Sequence, residues 1–209
     1  MSSKKMNEHE LRMLDMPQNP KTDRLVLQVV QAGDGAEITA AKVESFDRLK
    51  PWFPWAQDVG SAEENESWVR QQHAAFWNRT AVEYKILLAH NSFFIGMIGI
   101  HLIKKEPLAW EIGYWLRSGQ EGKGYMTEAV KACTELAFNH LKADKILIRA
   151  DSRNIPSQKV AERCGYHRDG LLRWVESDAV NPQNPVDMYY YSLIRPEYEA
   201  NKDFYQVLR

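Results

Sequence analysis

Cysteine, excess charge and long hydrophobic runs are all scarce in this 209-residue sequence. Cysteine occurs twice and histidine six times, and no two histidines have the spacing of about three to five residues that is usual for metal ligands. The formal net charge is only −1 at pH 7. We therefore expect no metal site, and no nucleic acid or anionic membrane as a partner, since both bind through strongly basic surfaces.

The lack of long hydrophobic runs excludes a membrane-spanning helix. The longest strongly apolar stretch extends from Phe93 to Ile100, far short of the roughly 20 residues that cross a bilayer. The N-terminal residues carry charges without an apolar core, unlike a signal peptide. With 44% hydrophobic and 26% charged residues, the composition is that of an ordinary globular domain, which we expect in the cytoplasm.

The residue pattern predicts one α+β domain over residues 21–209, preceded by a polar N-terminal segment over residues 1–20. Ser61 and Glu64 have the spacing of a capping box, which predicts that a helix begins directly after Ser61. Short turns join the second to fourth strands, which should form an antiparallel meander. The predicted strands cover residues 24–30, 82–89, 93–102, 109–116, 145–150, 170–176 and 187–194. The predicted helices cover residues 36–49, 62–77, 125–141 and 154–164, with a last helix after Pro196.

The helix predicted over residues 125–141 is strongly amphipathic and follows a glycine-rich loop that begins at Arg117. Such a loop directs backbone N–H groups and a helix N-terminus towards one point, which suits a phosphate. Two familiar phosphate motifs do not fit. A P-loop needs glycine at position 117 and serine or threonine at position 124, and a dinucleotide fingerprint needs glycine at position 127. Apolar residues repeat along this helix at Met126, Val130, Cys133, Ala137 and Leu141.

The loop and two later segments together resemble the GCN5-related N-acetyltransferase (GNAT) family. The loop reads Glu121-Gly-Lys-Gly-Tyr-Met-Thr-Glu-Ala129, and further on stand Asn154-Ile-Pro-Ser157 and Val160-Ala-Glu-Arg-Cys-Gly-Tyr166. With a tryptophan-rich Pro-Trp segment upstream, these motifs are most similar to those of the ribosomal-protein N-terminal acetyltransferases that act on serine. The resemblance implies a GNAT-type fold: a mixed, mostly antiparallel seven-stranded sheet flanked by helices.

Two loop positions depart from the family motif. Glu121 stands where the family has arginine or glutamine, and Met126 stands where it has glycine or alanine. An acid near a pyrophosphate is electrostatically unfavourable, so this departure bears on the affinity for acetyl-CoA. Because backbone N–H groups carry most phosphate contacts in the family, we expect the loop to keep its role, with Lys123 offsetting the charge.

The resemblance implies direct transfer of an acetyl group from acetyl-CoA to an amine, without a metal. In the family, the strand before the loop splays from its neighbour, and pantetheine binds the exposed backbone. The pyrophosphate would lie on the N–H groups of the loop, and Asn154 would either bind the pantetheine or only cap its helix. The cofactor-binding residues implied are Tyr114, Trp115, Leu116, Gly122, Lys123, Gly124, Tyr125, Met126, Thr127 and Asn154.

Two side chains are candidates for proton transfer. The resemblance makes Ser157 the general acid for the coenzyme A sulfur, although a serine in the first turn of a helix is also a common cap. It makes Glu176 the general base, 19 residues further on. Asp178 and Asp187 are alternative bases, and Glu176 could equally be a solvated carboxylate at a strand end.

The acceptor is an amine that the residues alone do not identify. Trp52 and Trp55 are candidate walls of an acceptor cleft, since ligand pockets favour apolar walls. The resemblance favours the N-terminal α-amine of a ribosomal protein, and implies a homodimer. The alternatives are a small-molecule or antibiotic N-acetyltransferase and a non-catalytic acyl-CoA-binding module.

Overall fold

An open sheet of seven strands forms the frame of the protein, whose computed structural model describes residues 6–209. The strands are β1 (Leu25–Val29), β2 (Ala81–Leu88), β3 (Phe94–Lys105), β4 (Leu108–Leu116), β5 (Lys145–Asp151), β6 (His167–Ser177) and β7 (Pro185–Ile194). They lie in the order β1-β2-β3-β4-β5-β7-β6. All neighbours are antiparallel except β4 and β5, which are parallel. The mixed, mostly antiparallel seven-stranded sheet that the family resemblance implies is confirmed.

Within residues 6–209, no helix is both long enough and apolar enough to cross a membrane. Helices cover the sheet. They are α1 (Glu8–Arg12), α2 (Gly35–Glu44), α3 (Phe46–Leu49), α4 (Ala62–Asn78), α5 (Tyr125–Asn139), α6 (Ile155–Arg163), α7 (Arg195–Ala200) and α8 (Lys202–Tyr205), with a 3₁₀ turn at Pro54–Gln57. The capping box expected at Ser61 is present at the start of α4.

One predicted helix, over residues 36–49, is instead two helices. The chain bends at Ser45, where φ is −102° and ψ is 7°. Ser45 is buried, and its hydroxyl accepts a hydrogen bond from the N–H of Ser118 at 3.0 Å. The bend therefore ties α2 and α3 to the loop that follows β4, a contact between distant parts of the sequence.

Two hydrophobic cores lie on the two faces of the sheet. Successive strand residues point to opposite faces, so Met97 and Ile98 belong to different cores. The larger core lies under α5, and the smaller one under α2 and α4 contains Ile38, Val69 and Trp115. The apolar positions predicted for α5 are all buried in the larger core: Met126, Val130, Cys133, Ala137 and Leu141.

The segment before β1 packs on the domain over its described part, from residue 6 onwards. Asn7 and Glu10 form a capping box that starts α1. Leu11 and Met16 are buried, and the hydroxyl of Tyr84 donates a hydrogen bond to the carbonyl of Pro17 at 2.7 Å. The other residues of the predicted polar segment, 1–5, lie outside the described part of the chain.

The close approach of β3 and β4 at the end of β4 requires glycine at position 96, and Gly96→Ala should destabilise the protein. A Cβ at Gly96 would lie 2.8 Å from the Cα of Leu116 and closer still to the carbonyl oxygen of Trp115, at a φ of +152°. Overpacking of this kind costs about 1–3 kcal/mol. Urea unfolding measures the loss.

Gly170→Ala is the matched control, because a Cβ there has no described heavy atom within 4 Å. It should leave the free energy of unfolding within about 0.5 kcal/mol of the wild type. Equal stability of the two variants would contradict the tight contact.

Candidate active site

The sheet opens between β4 and β5. These strands pair only from Ala109 to Glu111 on β4 and from Lys145 to Leu147 on β5. A cleft of about 950 Å³ occupies the gap; we call it the central cleft. Its walls come from the end of β4, the glycine loop, α6, strands β5 to β7, and residues 48–54. The splay that the family resemblance implies is therefore present.

The backbone of β4 turns hydrogen-bonding groups towards the central cleft. The N–H of Arg117 bonds to Ile95 of β3, and the carbonyl of Leu108 bonds on the β5 side to the N–H of Asp144. Successive residues of a strand point their N–H and carbonyl groups to opposite sides. Tyr114 and Leu116 are an even number of residues from Leu108, so their N–H groups point to the β5 side. There β5 has already separated, and these donors are available to a ligand.

The glycine loop ends in an uncapped helix N-terminus. Gly122 and Gly124 both have positive φ, of 75° and 80°, which side chains other than glycine adopt at a cost. Gly124 is the N-cap of α5, and it makes no side-chain cap hydrogen bond. The N–H groups of the first turn and the positive end of the helix dipole therefore favour an anion. The loop and first-turn residues that line the central cleft are Gln120, Glu121, Gly122, Gly124, Tyr125, Met126 and Thr127.

Glu121 is neutralised by Arg48, not by Lys123 as the sequence suggested. The Nε of Arg48 donates to Glu121 Oε1 at 3.1 Å, and the N–H of Gly119 donates to Glu121 Oε2 at 2.8 Å. Partial burial raises the pKa of Glu121, but these hydrogen bonds outweigh it and hold the pKa below its usual value. The Nζ of Lys123 instead donates to Gln120 at 3.1 Å.

Besides Arg48, three cations near the loop are absent from the sequence-based site. Arg24 bonds to the carbonyl of Lys123 at 3.0 Å and pairs with Glu128 at 2.6 Å. Lys159 and Arg163 line the central cleft from α6. Their spacing of four residues places them on one helix face, which was the signal available in the sequence.

Ser157 lies in the first turn of α6, next to the end of β4. Its hydroxyl is 3.2 Å from the hydroxyl of Tyr114, and both residues line the central cleft. Burial raises the pKa of Tyr114 well above that of an ordinary phenol, so this hydroxyl stays protonated at neutral pH.

Asn154, rather than Ser157, caps α6. The side-chain oxygen of Asn154 accepts the N–H of Ser157 at 3.2 Å. Asn154 also lines the central cleft, so the capping role leaves its amide nitrogen within reach of a ligand.

Among the three candidate bases, Glu176 is the one that lines the central cleft. Its Oε1 accepts a hydrogen bond from Arg149 Nη1 at 2.6 Å, and Arg149 Nε donates to Glu111 at 2.8 Å. Glu111 and Arg149 also line the cleft, and the sequence analysis missed both. Asp178 accepts the N–H groups of Val180 and Asn181, each at 2.8 Å, while Asp187 accepts the N–H of Trp174 at 3.0 Å.

Aromatic residues close the cleft on the side of α3. Trp52 and Phe53 line it, whereas Trp55 does not belong to its lining among the described residues. The ring of Trp55 stacks on Phe53 at 4.9 Å between centroids, and Lys42 Nζ lies 4.8 Å above the Trp55 ring. Trp55 therefore supports the wall that Phe53 presents.

Metal ligands do not gather in the described part of the chain, residues 6–209, where no group of three or more His, Cys, Asp or Glu could hold an ion. Cys133 and Cys164 are both free and buried.

Sequence comparison shows that this chain is similar to acetyltransferases. The profile of a family described as "Acetyltransferase (GNAT) domain" matches residues 24–167. YdaF of Bacillus subtilis (strain 168), provisionally named a ribosomal N-acetyltransferase, is 26% identical over 181 residues, covering 86% of this chain and 96% of YdaF. The ribosomal-protein-serine acetyltransferase of Escherichia coli (strain K12) is 26% identical over 138 residues, covering 65% of this chain and 76% of that enzyme.

A solved structure shares the fold. RimL, named a ribosomal L7/L12 alpha-N-protein acetyltransferase and solved in complex with coenzyme A, superposes with a TM-score of 0.77 at 20% identity. The match covers 87% of this chain and 98% of that chain.

His101, which pairs in register with Glu111, should make stability depend on pH. Burial lowers the pKa of His101, but the hydrogen bond that its Nε2 donates to Glu83 at 2.5 Å and the charges of Glu83 and Glu111 raise it above the ordinary 6.5. The folded state therefore binds the proton more tightly than the unfolded state. This stabilisation is complete below the unfolded pKa of about 6.5 and is lost as pH rises through the higher folded pKa.

Urea unfolding at a series of pH values from about 6 to 9 tests this dependence. His101→Asn and Glu83→Gln should each flatten the decline in the free energy of unfolding over that range. A decline that is the same in the wild type and both variants would show that His101 is not its source.

Proposed function

The chain belongs to the acetyltransferase (GNAT) family and is an N-acetyltransferase, and we propose that its acceptor is the N-terminal α-amine of a protein. The observation that carries this proposal is the central cleft. It joins a helix N-terminus suited to a phosphate, the free β4 backbone, Ser157 and Glu176 in one continuous space. A direct transfer needs such a space, because both substrates must be bound at once.

Acetyl-CoA fits one part of the cleft by its chemistry. Its pyrophosphate suits the N–H groups of residues 122–127, and Lys159 and Arg163 are near enough to add positive charge. Its pantetheine amides suit the free backbone groups of Tyr114 and Leu116, whereas those of Trp115 face β3, where Trp115 pairs with Met97. A free N–H near Leu116 would stabilise the charge that builds on the acetyl oxygen, and one such donor is worth roughly 3–4 kcal/mol elsewhere.

As the ammonium of the acceptor becomes an amide, its nitrogen loses two protons, and the departing sulfur gains one. Glu176 would accept the proton of the incoming ammonium, directly or through water, and the neutral nitrogen would then attack the acetyl carbon. As the carbon–sulfur bond breaks, the hydroxyl of Ser157 would donate its proton to the departing sulfur. The second proton of the nitrogen, released as the amide forms, would return to the Ser157 oxygen through water, and Glu176 would release its proton to solvent. The Tyr114 hydroxyl, which stays protonated, holds Ser157 by a hydrogen bond and orients it.

The charges near Glu176 favour a cationic acceptor without an adjacent carboxylate. Glu111 and Glu176 share the single guanidinium of Arg149, so the three groups carry a net charge of −1. An ammonium is attracted there, whereas the carboxylate of a free amino acid finds Arg149 already paired. A peptide N-terminus meets both conditions.

Acidity also favours an α-amine over lysine. The pKa of a protein α-amine is about 7.7–8.0 and that of lysine about 10.4. Near neutral pH the α-amine is therefore neutral a few hundred times more often. A single carboxylate is therefore an adequate base for an α-amine. The names of the relatives, YdaF and the ribosomal-protein-serine acetyltransferase, support a ribosomal protein with N-terminal serine as the acceptor.

The homodimer implied by the family resemblance is also a proposal. Light scattering of the purified protein tests it, with a mass near 48 kDa expected for two copies of the 24.2 kDa chain, since 2 × 24.2 = 48.4.

Acetyl-CoA should stabilise the protein in the presence of a chelator. Saturation at about 100 times Kd adds roughly 2.7 kcal/mol. For a chain of this size that raises Tm by roughly 5–10 °C. Adenosine, which lacks the pyrophosphate, is the control ligand and should give no comparable shift. Equal melting curves with and without acetyl-CoA would contradict the assignment of the cleft.

Glu176→Gln and Ser157→Ala should both slow turnover without weakening acetyl-CoA binding. General acid or base groups contribute about 10²–10⁴-fold, so kcat should fall within that range for Glu176→Gln, and its decline at acidic pH should flatten. Glu63→Gln, on the exposed face of α4, is the matched control. Full activity of Glu176→Gln with an unchanged pH profile would place the base elsewhere.

The acceptor is tested by mass spectrometry with short peptides that begin with serine. We expect acetylation of the free N-terminus and none of the same peptides with a blocked N-terminus, even where they contain lysine. Free serine should react poorly. Acetylation confined to polyamines or aminoglycosides would identify a small-molecule acetyltransferase instead, and no turnover with any amine would indicate an acyl-CoA-binding module.

A further inference from the structure

Glu176 lies on the least supported strand of the sheet. Within residues 6–209, β6 is an edge strand whose one partner in the sheet is β7. Its register shifts between Leu172 and Glu176, where three residues face one on β7, and Trp174 in this bulge has a φ of +56°. The Glu176 side chain is 46% exposed, so packing does not fix its conformation.

Arg149 provides the support that packing does not. It lies on the interior strand β5, and its planar guanidinium binds Glu111 through Nε and Glu176 through Nη1, at 2.8 and 2.6 Å. The Glu111 side chain is only 19% exposed and belongs to β4. Within residues 6–209, Arg149 is the side chain that donates to Glu176. The planar guanidinium of Arg149 is held by its ion pair with Glu111. It therefore fixes the exposed carboxylate of Glu176, to which its Nη1 donates.

Other charged groups nearby have partners of their own. On the β2–β3 side, His101 bonds to Glu83 at 2.5 Å. On the other side, Arg153 pairs with Asp151 at 2.5 Å and with Asp178 at 2.7 Å. The Tyr190 ring lies 6.0 Å from the Arg149 guanidinium. None of these groups bonds to Glu176, although the Tyr190 side chain also bonds to Arg149 and the charge of Glu111 acts on His101.

We propose that Arg149 is a positioning residue for acetyl transfer: anchored by Glu111, it holds the Glu176 carboxylate in the central cleft where the amine must be deprotonated. This inference rests on the proposed role of Glu176. Catalytic groups need a supporting shell that fixes their geometry, and a displacement of about 1 Å can cost on the order of 100-fold in rate.

A double-mutant cycle tests whether Arg149 acts through Glu176. In the wild-type background, Arg149→Gln should lower kcat for a serine-initiated peptide by about 10- to 100-fold. In the Glu176→Gln background the same change should have an effect of less than about twofold, because the group it positions is gone. If the fold-losses in kcat of the two single variants instead multiply in the double variant, the proposal is overturned. Lys145→Gln, which removes another β5 cation that pairs with Asp169, should leave kcat unchanged.

Glu111→Gln is a second, milder variant that leaves the pair between Arg149 and Glu176 in place. It should lower kcat by less than Arg149→Gln, and its effect should also vanish in the Glu176→Gln background. If Arg149→Gln does not fold, this cycle decides the question alone. A Glu111→Gln loss that persists in the Glu176→Gln background would overturn the proposal.

A crystal structure of Arg149→Gln separates this inference from the proposed function. The Glu176 carboxylate should leave its wild-type position or occupy several rotamers, and an unmoved Glu176 would overturn the positioning role. This readout needs no turnover. If wild-type protein acetylates no peptide while the Glu176 displacement is observed, the acceptor assignment fails and the positioning contact stands.

Discussion

The separation of β4 from β5 beyond Glu111 is the constraint on which the active site depends. Sheet strands normally satisfy each other's hydrogen bonds, and unpaired buried backbone groups are costly. Here the parallel pair stops after three residues on each strand, and the free groups of β4 face a cleft of about 950 Å³. A ligand with amide groups can complete the sheet at that point, so in the proposed function one opening serves both binding and chemistry.

The cleft is held open by contacts between distant parts of the chain. The bend at Ser45 supplies a hydroxyl to the N–H of Ser118, and the pair of Arg48 with Glu121 fastens the same loop three residues later. On the far side, Arg24 pairs with Glu128 and bonds to the loop carbonyl of Lys123. The glycine loop is thus fixed at both ends before any phosphate binds, so little ordering is needed on binding.

The sequence predicted what depends on short-range pattern. The amphipathic α5, the capping box at Ser61 and the seven strands follow from periodicity and local cap chemistry, and the structure confirms them. The bend at Ser45 was not predictable, because its cause is a hydrogen bond to a residue 73 positions away. The start of β6 at His167 was missed because that strand is exposed on both faces and has no alternation.

Within the site, too, short sequence motifs were predictable and contacts between distant residues were not. Motif residues such as Gly124 and Ser157 could be placed from the sequence because they stand in short motifs that resemble those of the GNAT family. The pairing of Arg149 with Glu176, and the replacement of Trp55 by Phe53 as a wall of the cleft, depend on tertiary contacts. Charged pairs across neighbouring strands leave no periodic signal, so Glu111 and Arg149 became visible only in the folded chain.

The central claim is that one cleft binds both substrates, with Ser157 at the sulfur and Glu176 at the amine. The most direct measurement is a crystal structure with a bisubstrate analogue in which coenzyme A is linked through its sulfur to the N-terminus of a serine peptide. The account predicts the sulfur beside the Ser157 hydroxyl, the linked nitrogen facing Glu176, and the peptide leaving between Trp52 and Phe53. A coenzyme A moiety outside the β4–β5 opening, or a peptide that leaves away from Glu176, would contradict it.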